Sequence, residues 1–252
     1  MLKLAANMEI PWVLAALCMF LAAYAVGFLK IFVHWKLKDR AEGCSCCMSL
    51  LHGTPAAVLA AYCMLRSPWE LAGQNTPFQN AVMEFSIAYF ISDLMHFLAF
   101  FPGDFVFIAH HLATLFVMVS CRYFVGHGGF AVMSLLFVAE ITSACQNTWT
   151  LARIGRRNNL NIELFYEFLS PFFYGFYTAV RGVVAPVLTY NLGRYFVGGK
   201  ADDVIPRWLA CCWMGVVSAA IVASMAWILN LWIELFRGYA ALKSRKLFVK
   251  TK

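Results

Sequence analysis

Apart from Asp104 at its hinge, the apolar sequence ISDLMHFLAFFPGDFVFIAHHLATL at residues 91–115 contains four ionisable side chains: Asp93, His96, His110 and His111. A histidine held by a carboxylate can act as a general base, because the carboxylate fixes its tautomer and stabilises the imidazolium that forms when a proton arrives. If this sequence lies in a membrane, the hydroxyl or amine of a lipid is the obvious acceptor, and an acyl thioester is the obvious donor. We therefore interpret these four residues as candidate catalytic residues for acyl transfer.

Their spacing predicts that the four residues lie at similar depth in a helical hairpin that turns near residues 102–103. In an antiparallel pair of helices with this turn, His96 lies level with His110, and Asp93 lies near the level of His111. At a rise of 1.5 Å per residue, all four lie roughly 10 to 15 Å from the turn. Asp93 and His96 share a helix face, so Asp93 can bind an imidazole on its own helix or on the next one. The adjacent His110 and His111 point about 100° apart, so only one of them is expected to face Asp93.

The composition of the chain is that of a membrane protein. Of its 252 residues, 62% are hydrophobic and 13% are charged, and the mean hydropathy is positive. A soluble globular domain is not so apolar. Because a helix needs about 20 apolar residues to cross a hydrocarbon core, a chain of this length has room for about six to eight crossings and no separate soluble domain.

Apolar runs predict an all-α, multi-pass transmembrane bundle of about seven helices with a central polar cavity, in one domain of residues 1–252. The first run contains a small-x-small tripeptide at residues 23–25, which is typical of a signal-peptide cleavage site. The run continues beyond the length that a signal needs, so an uncleaved anchor is favoured. Pro171 and Pro186 are expected to bend the sixth helix near the cavity. The predicted spans are 12–33, 47–65, 81–101, 105–124, 129–150, 164–190 and 208–236.

Basic residues predict the orientation of the bundle. Lys and Arg accumulate in residues 36–40, in residues 153–157 and in the C-terminal tail, all on one side of a seven-span topology. Because basic loops resist translocation, we expect a cytosolic C-terminus. The net charge of +7 then fits an anionic cytosolic leaflet and requires no nucleic-acid partner. Glu84 and Arg122 near span ends are expected only to extend towards the membrane surface.

Polar residues of the fifth and sixth spans are candidates for lining the same cavity and binding a substrate. Glu140 and Asn147, seven residues apart, share one face of the fifth span. Tyr174, Tyr177 and Arg181 follow at spacings of three and four and form one stripe on the sixth span. A charged group at bilayer depth costs at least about 2.5 kcal/mol on insertion scales, so such residues are expected to face the bundle interior. A polar network that only fixes helix packing is the alternative.

A metal centre is a rival use for histidines and carboxylates. The chain has six histidines, and His34, His52 and His127 lie on other loops or spans. His52 could join the polar cluster from the side or make a packing contact. Because the histidine boxes of a membrane di-iron enzyme are lacking, we predict no metal site.

Three cysteines stand close together in the first predicted cytosolic loop, within the sequence Cys44-Ser45-Cys46-Cys47. Disulfides are rare in the cytosol, and the second ligand pair of a structural zinc site is lacking. Reversible acylation beside a span and cysteines without a chemical role both stay open.

The sequence resembles the TLC-domain proteins, a family that groups ceramide synthases with translocating-chain-associating membrane proteins and several lipid-homeostasis proteins. The resemblance extends over about 80–240 and rests on YFISDLMHFLAFFPGDFVFIAHHLATL, AEITSACQN and FFYGFYTAVRG. It implies a seven-helix membrane fold with a central cavity, usually in the endoplasmic reticulum. By motif match with ceramide synthases, it also implies acyl transfer from acyl-CoA to a sphingoid amine at His110 and His111, with Thr114 beside them.

The sequence departs from ceramide synthases after the paired histidines, where those enzymes have a His-Asp and a further Asp. This chain has LLFVAEITSAC with Glu140 alone, and it is more similar to the small TLC-domain proteins, including plant members. Two hypotheses of function follow. One is histidine-dependent acyl transfer in an intramembrane cavity, with acyl-CoA as co-substrate, no bound cofactor, and membrane lipids as partners. The other is a non-catalytic lipid-binding or membrane-composition protein that uses the same polar network structurally, and on either hypothesis an oligomer stays open.

Overall fold

Seven segments of this computed structural model are long and apolar enough to cross a membrane, as the sequence predicted. The structure describes the backbone of residues 10–250 and the side chains of residues 12–237 except that of Asn158. Across these described residues the secondary structure is helical, apart from turns and one isolated bridge. The all-α, multi-pass prediction is therefore confirmed. The seven segments are Trp12–Ile31, Leu37–Arg66, Pro77–Phe100, Phe105–Val125, Gly129–Gly155, Leu160–Phe196 and Arg207–Arg237.

Several spans are built from more than one helical piece. The α-helices of the described chain are α1 (Ile10–Val26), α2 (Leu37–Arg66), α3 (Pro77–Phe100), α4 (Phe105–Val119), α5 (Gly129–Glu140), α6 (Ser143–Gly155), α7 (Leu160–Ala179), α8 (Ala185–Phe196) and α9 (Arg207–Lys250). Wider π-helical turns extend the first and fourth spans and join α7 to α8. These segments are Gly27–Ile31, Ser120–Val125 and Val180–Val184, and a short 3₁₀ turn follows α6 at Arg156–Asn158.

The third and fourth spans form the predicted hairpin. α3 begins with a capping box, in which the Thr76 hydroxyl accepts from the Gln79 N–H and the Gln79 side chain accepts from the Thr76 N–H. The chain turns after α3, and the Asp104 N–H donates to the Phe101 carbonyl at 2.9 Å. The Asp104 carboxylate then accepts from the Phe107 N–H and caps α4. These local bonds set α3 and α4 side by side.

The helices pack in a closed ring with α1 on its outside. α2 packs on α3, α3 on α4, α4 on α9, and α9 on both α7 and α8. α6 packs on α7, and α2 closes the ring against α5 and α6. α1 lies against α2 and α3. Side chains from six spans can therefore face a common interior.

One end of the ring is filled by apolar packing. Met83, Met133, Leu192 and Leu209 come from four different helices and belong to one cluster of fully buried side chains. The indole N–H of Trp213 donates to the hydroxyl of Ser120 at 2.8 Å within this end. Close packing of this kind is a main source of helix association in a membrane. The polar residues described below lie towards the other end of the ring.

Glu84 and Arg122 were predicted only to extend towards the membrane surface, and this prediction is wrong. Arg122 Nη2 lies 2.7 Å from Glu84 Oε1, and the Glu84 side chain is buried. Two opposite charges on adjacent helices satisfy each other here, because α3 and α4 run side by side at this depth. The ion pair fixes the ends of two spans to each other.

The second span begins at Leu37, ten residues earlier than the predicted residue 47, and this changes the position of the cysteine cluster. The small and polar residues after Leu37 lower the local hydropathy, but they continue the helix and pack within the bundle. Cys44 and Cys46 are buried, with 0% and 5% of their surface exposed. The three cysteines therefore lie inside α2 and not in a loop. The thiols of Cys44 and Cys46 are not accessible for acylation.

Candidate functional site

A carboxylate and an imidazole meet inside the ring and form what we call the buried pair, Asp93 and His111. His111 Nε2 lies 2.8 Å from Asp93 Oδ2, and the two residues are 4% and 3% exposed. The Ser45 hydroxyl donates to Asp93 Oδ1 at 2.6 Å, and the Tyr89 hydroxyl donates to Oδ2 at 3.4 Å. Both carboxylate oxygens are thus bound, and the partners come from α2, α3 and α4.

His111 uses both of its ring nitrogens in this arrangement. Nδ1 donates to the backbone carbonyl of Phe107 at 2.8 Å, because a carbonyl can only accept. Nε2 faces Asp93, and one proton lies between them, bonded either to Nε2 or to Asp93 Oδ2. Neither nitrogen can accept a proton from a further group without losing a bond. The geometry makes His111 a residue that fixes its surroundings.

His110 is the imidazole that stays available, because the adjacent positions point in different directions. Its side chain is exposed, and its ring nitrogens have no hydrogen-bond partner among the described residues. Its ring centroid lies 5.7 Å from that of His111. Arg181 lies on another wall of the ring, in the π-helical segment of the sixth span, which does not pack closely on α4.

Thr114 lies one turn after His110, as the motif predicted. Its hydroxyl donates to the His110 backbone carbonyl at 2.9 Å. A threonine bond to the preceding turn is common within helices, so this contact alone gives Thr114 no chemical role. Its oxygen lone pairs are still free to accept a hydrogen bond.

His96 was predicted beside Asp93 as a catalytic residue, but it binds a different partner. The Tyr24 hydroxyl hydrogen-bonds to His96 Nδ1 at 3.0 Å, and Phe97 and Phe100 pack around the ring. Tyr24 belongs to α1, which lies on the outside of the ring against α3. The imidazole that binds Asp93 is thus the one on the fourth span. His96 joins the outer helix to the bundle.

His52 forms a second polar group beside the buried pair. It is fully buried in α2, and its Nε2 lies 3.0 Å from the Ser86 hydroxyl. Its ring stacks on Tyr89 with centroids 4.1 Å apart, while its Nδ1 lies 4.0 Å from Glu140 Oε2. Tyr89 therefore contacts both groups, by its hydroxyl and by its ring face. The sequence did not decide between a place in the polar cluster and a packing contact for His52, because a single histidine in a span does not indicate which residue it contacts.

Glu140 and Asn147 lie on one side of the fifth span, as predicted, but they contact α2 closely. The span is interrupted after Glu140, and α6 begins at Ser143. Asn147 Nδ2 donates to the Ser49 hydroxyl and to the Ser143 carbonyl, both at 2.8 Å. The two polar residues thus join α2 to the interrupted span, and the predicted enclosed cavity beside them stays a prediction.

Arg181 lies opposite this interruption, in the π-helical segment of the sixth span. Its Nη2 donates to the Ala139 carbonyl at 2.6 Å, and its Nε donates to the Thr142 hydroxyl at 3.4 Å. The last carbonyls of a helix have no partner in their own helix, so the guanidinium caps the end of α5. Glu140 is within its electrostatic range. Arg181 is therefore anchored beside the polar residues.

Tyr174 and Tyr177 were predicted on the same cavity stripe as Arg181. The Arg181 guanidinium carbon lies 5.7 Å from the centre of the Tyr177 ring, so these two residues are neighbours as predicted. Both tyrosines are buried in an aromatic cluster with Trp149 and Phe173, between the fifth, sixth and seventh spans. The ring of Tyr177 meets the ring of Trp227 edge to face at 4.6 Å. The widened π-helical turn changes the helical register between the tyrosines and the rest of the span. The two tyrosines pack the bundle and do not reach the buried pair.

The fold and these contacts define a multi-pass α-helical membrane protein whose ring encloses carboxylates, imidazoles and an arginine. In the part of the chain that the structure describes, no three His, Cys, Asp or Glu side chains are close enough to hold a metal ion.

The chain belongs to the TLC-domain family, whose model matches residues 42–233. It is 46% identical over 231 residues to a TLC domain-containing protein of Arabidopsis thaliana. The aligned residues make up 90% of this chain and 91% of that relative. The predicted resemblance, including its plant members, is confirmed. The match begins in α2, at residue 42, and not near residue 80.

Proposed function

We propose that this protein transfers an acyl group from acyl-CoA to the amine or hydroxyl of a membrane lipid, within the interior of the helical ring. One observation carries the proposal: His110 has a free imidazole directly beside the buried pair. A sphingoid-type amine is the acceptor class that the family resemblance favours. The membrane would be that of the endoplasmic reticulum, and the role would belong to lipid homeostasis.

His110 is the general base in this proposal. Its free ring nitrogen takes a proton from the lipid amine or hydroxyl while the lipid nitrogen or oxygen attacks the thioester carbonyl carbon. The carbon–sulfur bond then breaks, and the proton passes to the departing CoA thiolate. The products are an acylated lipid and CoA with a free thiol, so no oxidant, metal or further reactant is needed.

The buried pair and Arg181 assist this step without entering it covalently. His111 is bound at both nitrogens, so it holds the first turns of α4 against α3 and fixes the direction of the adjacent His110 ring. The N–H groups of Arg181 that do not bind Ala139 or Thr142 can donate to the carbonyl oxygen as negative charge develops there. His111 and Asp93 are thus positioning residues, and Arg181 is a candidate for stabilising the oxyanion.

A non-catalytic lipid-binding or membrane-composition role is the second candidate. One specific observation favours it: the polar side chains of the buried pair are satisfied by each other and by Ser45, Tyr89 and Phe107. A network that is complete in this way can serve helix packing alone.

An acyl-transfer assay with purified protein in nanodiscs separates the two candidates. We expect labelled acyl-CoA and a sphingoid amine to give an amide with the unaltered protein, and we expect His110→Ala to reduce the rate at least about 100-fold, because general-base catalysis contributes about that much. His34→Ala is the matched control, because His34 is exposed and lies outside the ring. If the unaltered protein forms no product with amine or hydroxyl lipids, or if His110→Ala keeps full activity, the catalytic proposal fails.

A further inference from the structure

A groove of about 530 Å³ lies between α8 and α9, on the opposite end of the bundle from the buried pair. Its walls include Thr189, Gly193 and Arg194 from α8, and Met214 and Ser218 from α9. On α8, the neighbouring residues Leu192 and Phe196 point into the apolar core. Arg194 and its neighbour Tyr190 lie on the other side of the same helix and are exposed. The groove therefore opens on the outer surface of the ring.

The groove runs from the membrane interface into the hydrocarbon region. Arg194 lies within one turn of Phe196, where α8 ends. Thr189 lies five residues earlier, which is about 7.5 Å deeper at the helical rise. Ser218 lies eleven residues into α9, about 16 Å from the start of that helix. A basic group thus stands at headgroup depth, above a narrow wall of small and apolar side chains.

Arg194 has a charge that the protein does not neutralise locally. Its guanidinium lies 5.9 Å from the ring centroid of Tyr190, and it forms no ion pair with an acidic side chain of the described residues. The neighbouring Arg207 instead binds Asp202 at 3.2 Å and the Val197 carbonyl at 3.0 Å. Arg194 is therefore available to an anion from outside the chain.

Thr189 supplies a second, independent indication of a ligand. The residue is only 8% exposed, and its buried hydroxyl oxygen has no hydrogen-bond partner among the described side chains and backbone. Buried hydroxyls are nearly always hydrogen-bonded, and a hydroxyl without a partner in an apolar wall is unfavourable. Because Thr189 lines the groove, a rotation of its side chain would bring the hydroxyl to an acceptor atom there.

We propose that this groove binds one phospholipid of the bilayer. The phosphate accepts charge-assisted hydrogen bonds from the Arg194 guanidinium. An ester oxygen, several ångströms deeper in the lipid, accepts from the Thr189 hydroxyl. One acyl chain then lies along Gly193, Met214 and Ser218. This site is separate from the proposed acyl-transfer site, and neither depends on the other.

Native mass spectrometry with two matched lipids tests the recognition of the phosphate. Phosphatidate and diacylglycerol with identical chains differ only in that group, so we expect purified protein to retain phosphatidate and not diacylglycerol. Arg194→Gln should weaken phosphatidate binding about tenfold or more, the value of a charged hydrogen bond. Arg66→Gln is the matched control, because Arg66 is also exposed at a helix end and lies 5.7 Å from the ring of a tyrosine four residues earlier, Tyr62.

Two further variants test the location of the lipid. Gly193→Leu fills the groove, and a Cβ at this position meets only the flexible end of Met214 at 3.7 Å, so the fold is expected to tolerate it. This variant should abolish crosslinking of a phosphatidate with a photoreactive acyl chain to α8 and α9. Gly175→Leu, where a Cβ meets nothing within 4 Å, should leave the crosslink unchanged. Equal retention of the two lipids, unchanged binding by Arg194→Gln, or crosslinking that persists in Gly193→Leu would each overturn the proposal, whatever the acyl-transfer assay gives.

Discussion

Asp93 binds groups from three helices at one point inside the membrane. Ser45 on α2, Tyr89 on α3 and His111 on α4 all contact its carboxylate. A charge at this depth is tolerated only when such partners replace water, and removing one member of a buried pair leaves the other unsatisfied. The residue therefore holds the hairpin together and also sets the direction of His110.

Asp93→Asn should test this role, because it keeps the size of the side chain and removes its charge. The amide can no longer accept at both positions, so its NH₂ group faces either Ser45 or His111. We expect a loss of about 3 to 5 kcal/mol in the free energy of unfolding, as for other broken buried pairs. The loss would be measured by denaturation in detergent.

Asp104→Asn provides the control for this substitution. Asp104 caps α4 at the turn, and asparagine caps helices about as well as aspartate, so the control should change stability by a few tenths of a kcal/mol at most. Equal stability of the two variants would show that the charge of Asp93 is not needed for the fold.

At the scale of whole helices, the closest approach near the site is that of α2 to the interruption between α5 and α6. A Cβ at Gly53 would lie 2.6 Å from Glu140 Oε2, and it would also meet the Ser143 side chain. Only glycine therefore lets α2 reach the interrupted span. His52, the adjacent residue, is brought to within 4.0 Å of Glu140 by the same approach.

Gly53→Ala should destabilise the protein although alanine is the better helix former. Alanine gains about 1 kcal/mol over glycine in an exposed helix, but overpacking a closely packed contact costs about 1 to 3 kcal/mol and would move Glu140. At Gly175 the same substitution meets open space, so Gly175→Ala should be neutral or stabilising. Thermal unfolding of both variants in one detergent gives the comparison, and a stabilised Gly53→Ala would contradict the close approach.

The whole bundle could be predicted from the sequence better than the contacts inside it. Span number and the hairpin follow from length, hydropathy and the turn at residues 101–104, which are local properties. The rotation of each helix about its axis is set by packing between spans, and sequence spacing does not report it. For this reason His96 turns to α1, Tyr174 joins the aromatic cluster, and His111 and not His110 meets Asp93.

The start of α2 and the groove between α8 and α9 could not be predicted from the sequence, for a related physical reason. The helix between Leu37 and Cys47 is rich in small and polar residues, so its hydropathy resembles that of a loop, although neighbouring spans bury it. Thr189 and Arg194 are ordinary residues in an apolar helix. Thr189 and Arg194 line a groove only because side chains of α9 face them, and those residues lie far away in the sequence.

Orientation is the property of the whole molecule on which the acyl-CoA proposal depends. The turn at residues 101–104 and the C-terminal tail lie on the same side of a seven-span topology, and His110 is about 7.5 Å from the start of α4 at Phe105 along the helix. If the tail is cytosolic, as the basic residues predict, the buried pair lies in the cytosolic half, where a cytosolic thioester can reach it. The groove between α8 and α9 then lies in the opposite leaflet.

Glycosylation acceptor sequences inserted into single loops would establish the orientation in cells. We expect modification of an acceptor in residues 197–206, which connect α8 to α9, and none of an acceptor fused to the C-terminus, because only the former would face the lumen. An acceptor placed before α7, in the basic residues 153–157, should also stay unmodified and serves as the matched loop control. The reverse pattern would put His110 in the lumenal half, away from cytosolic acyl-CoA, and the proposed donor would then have to be abandoned even if the ring and the buried pair are as described.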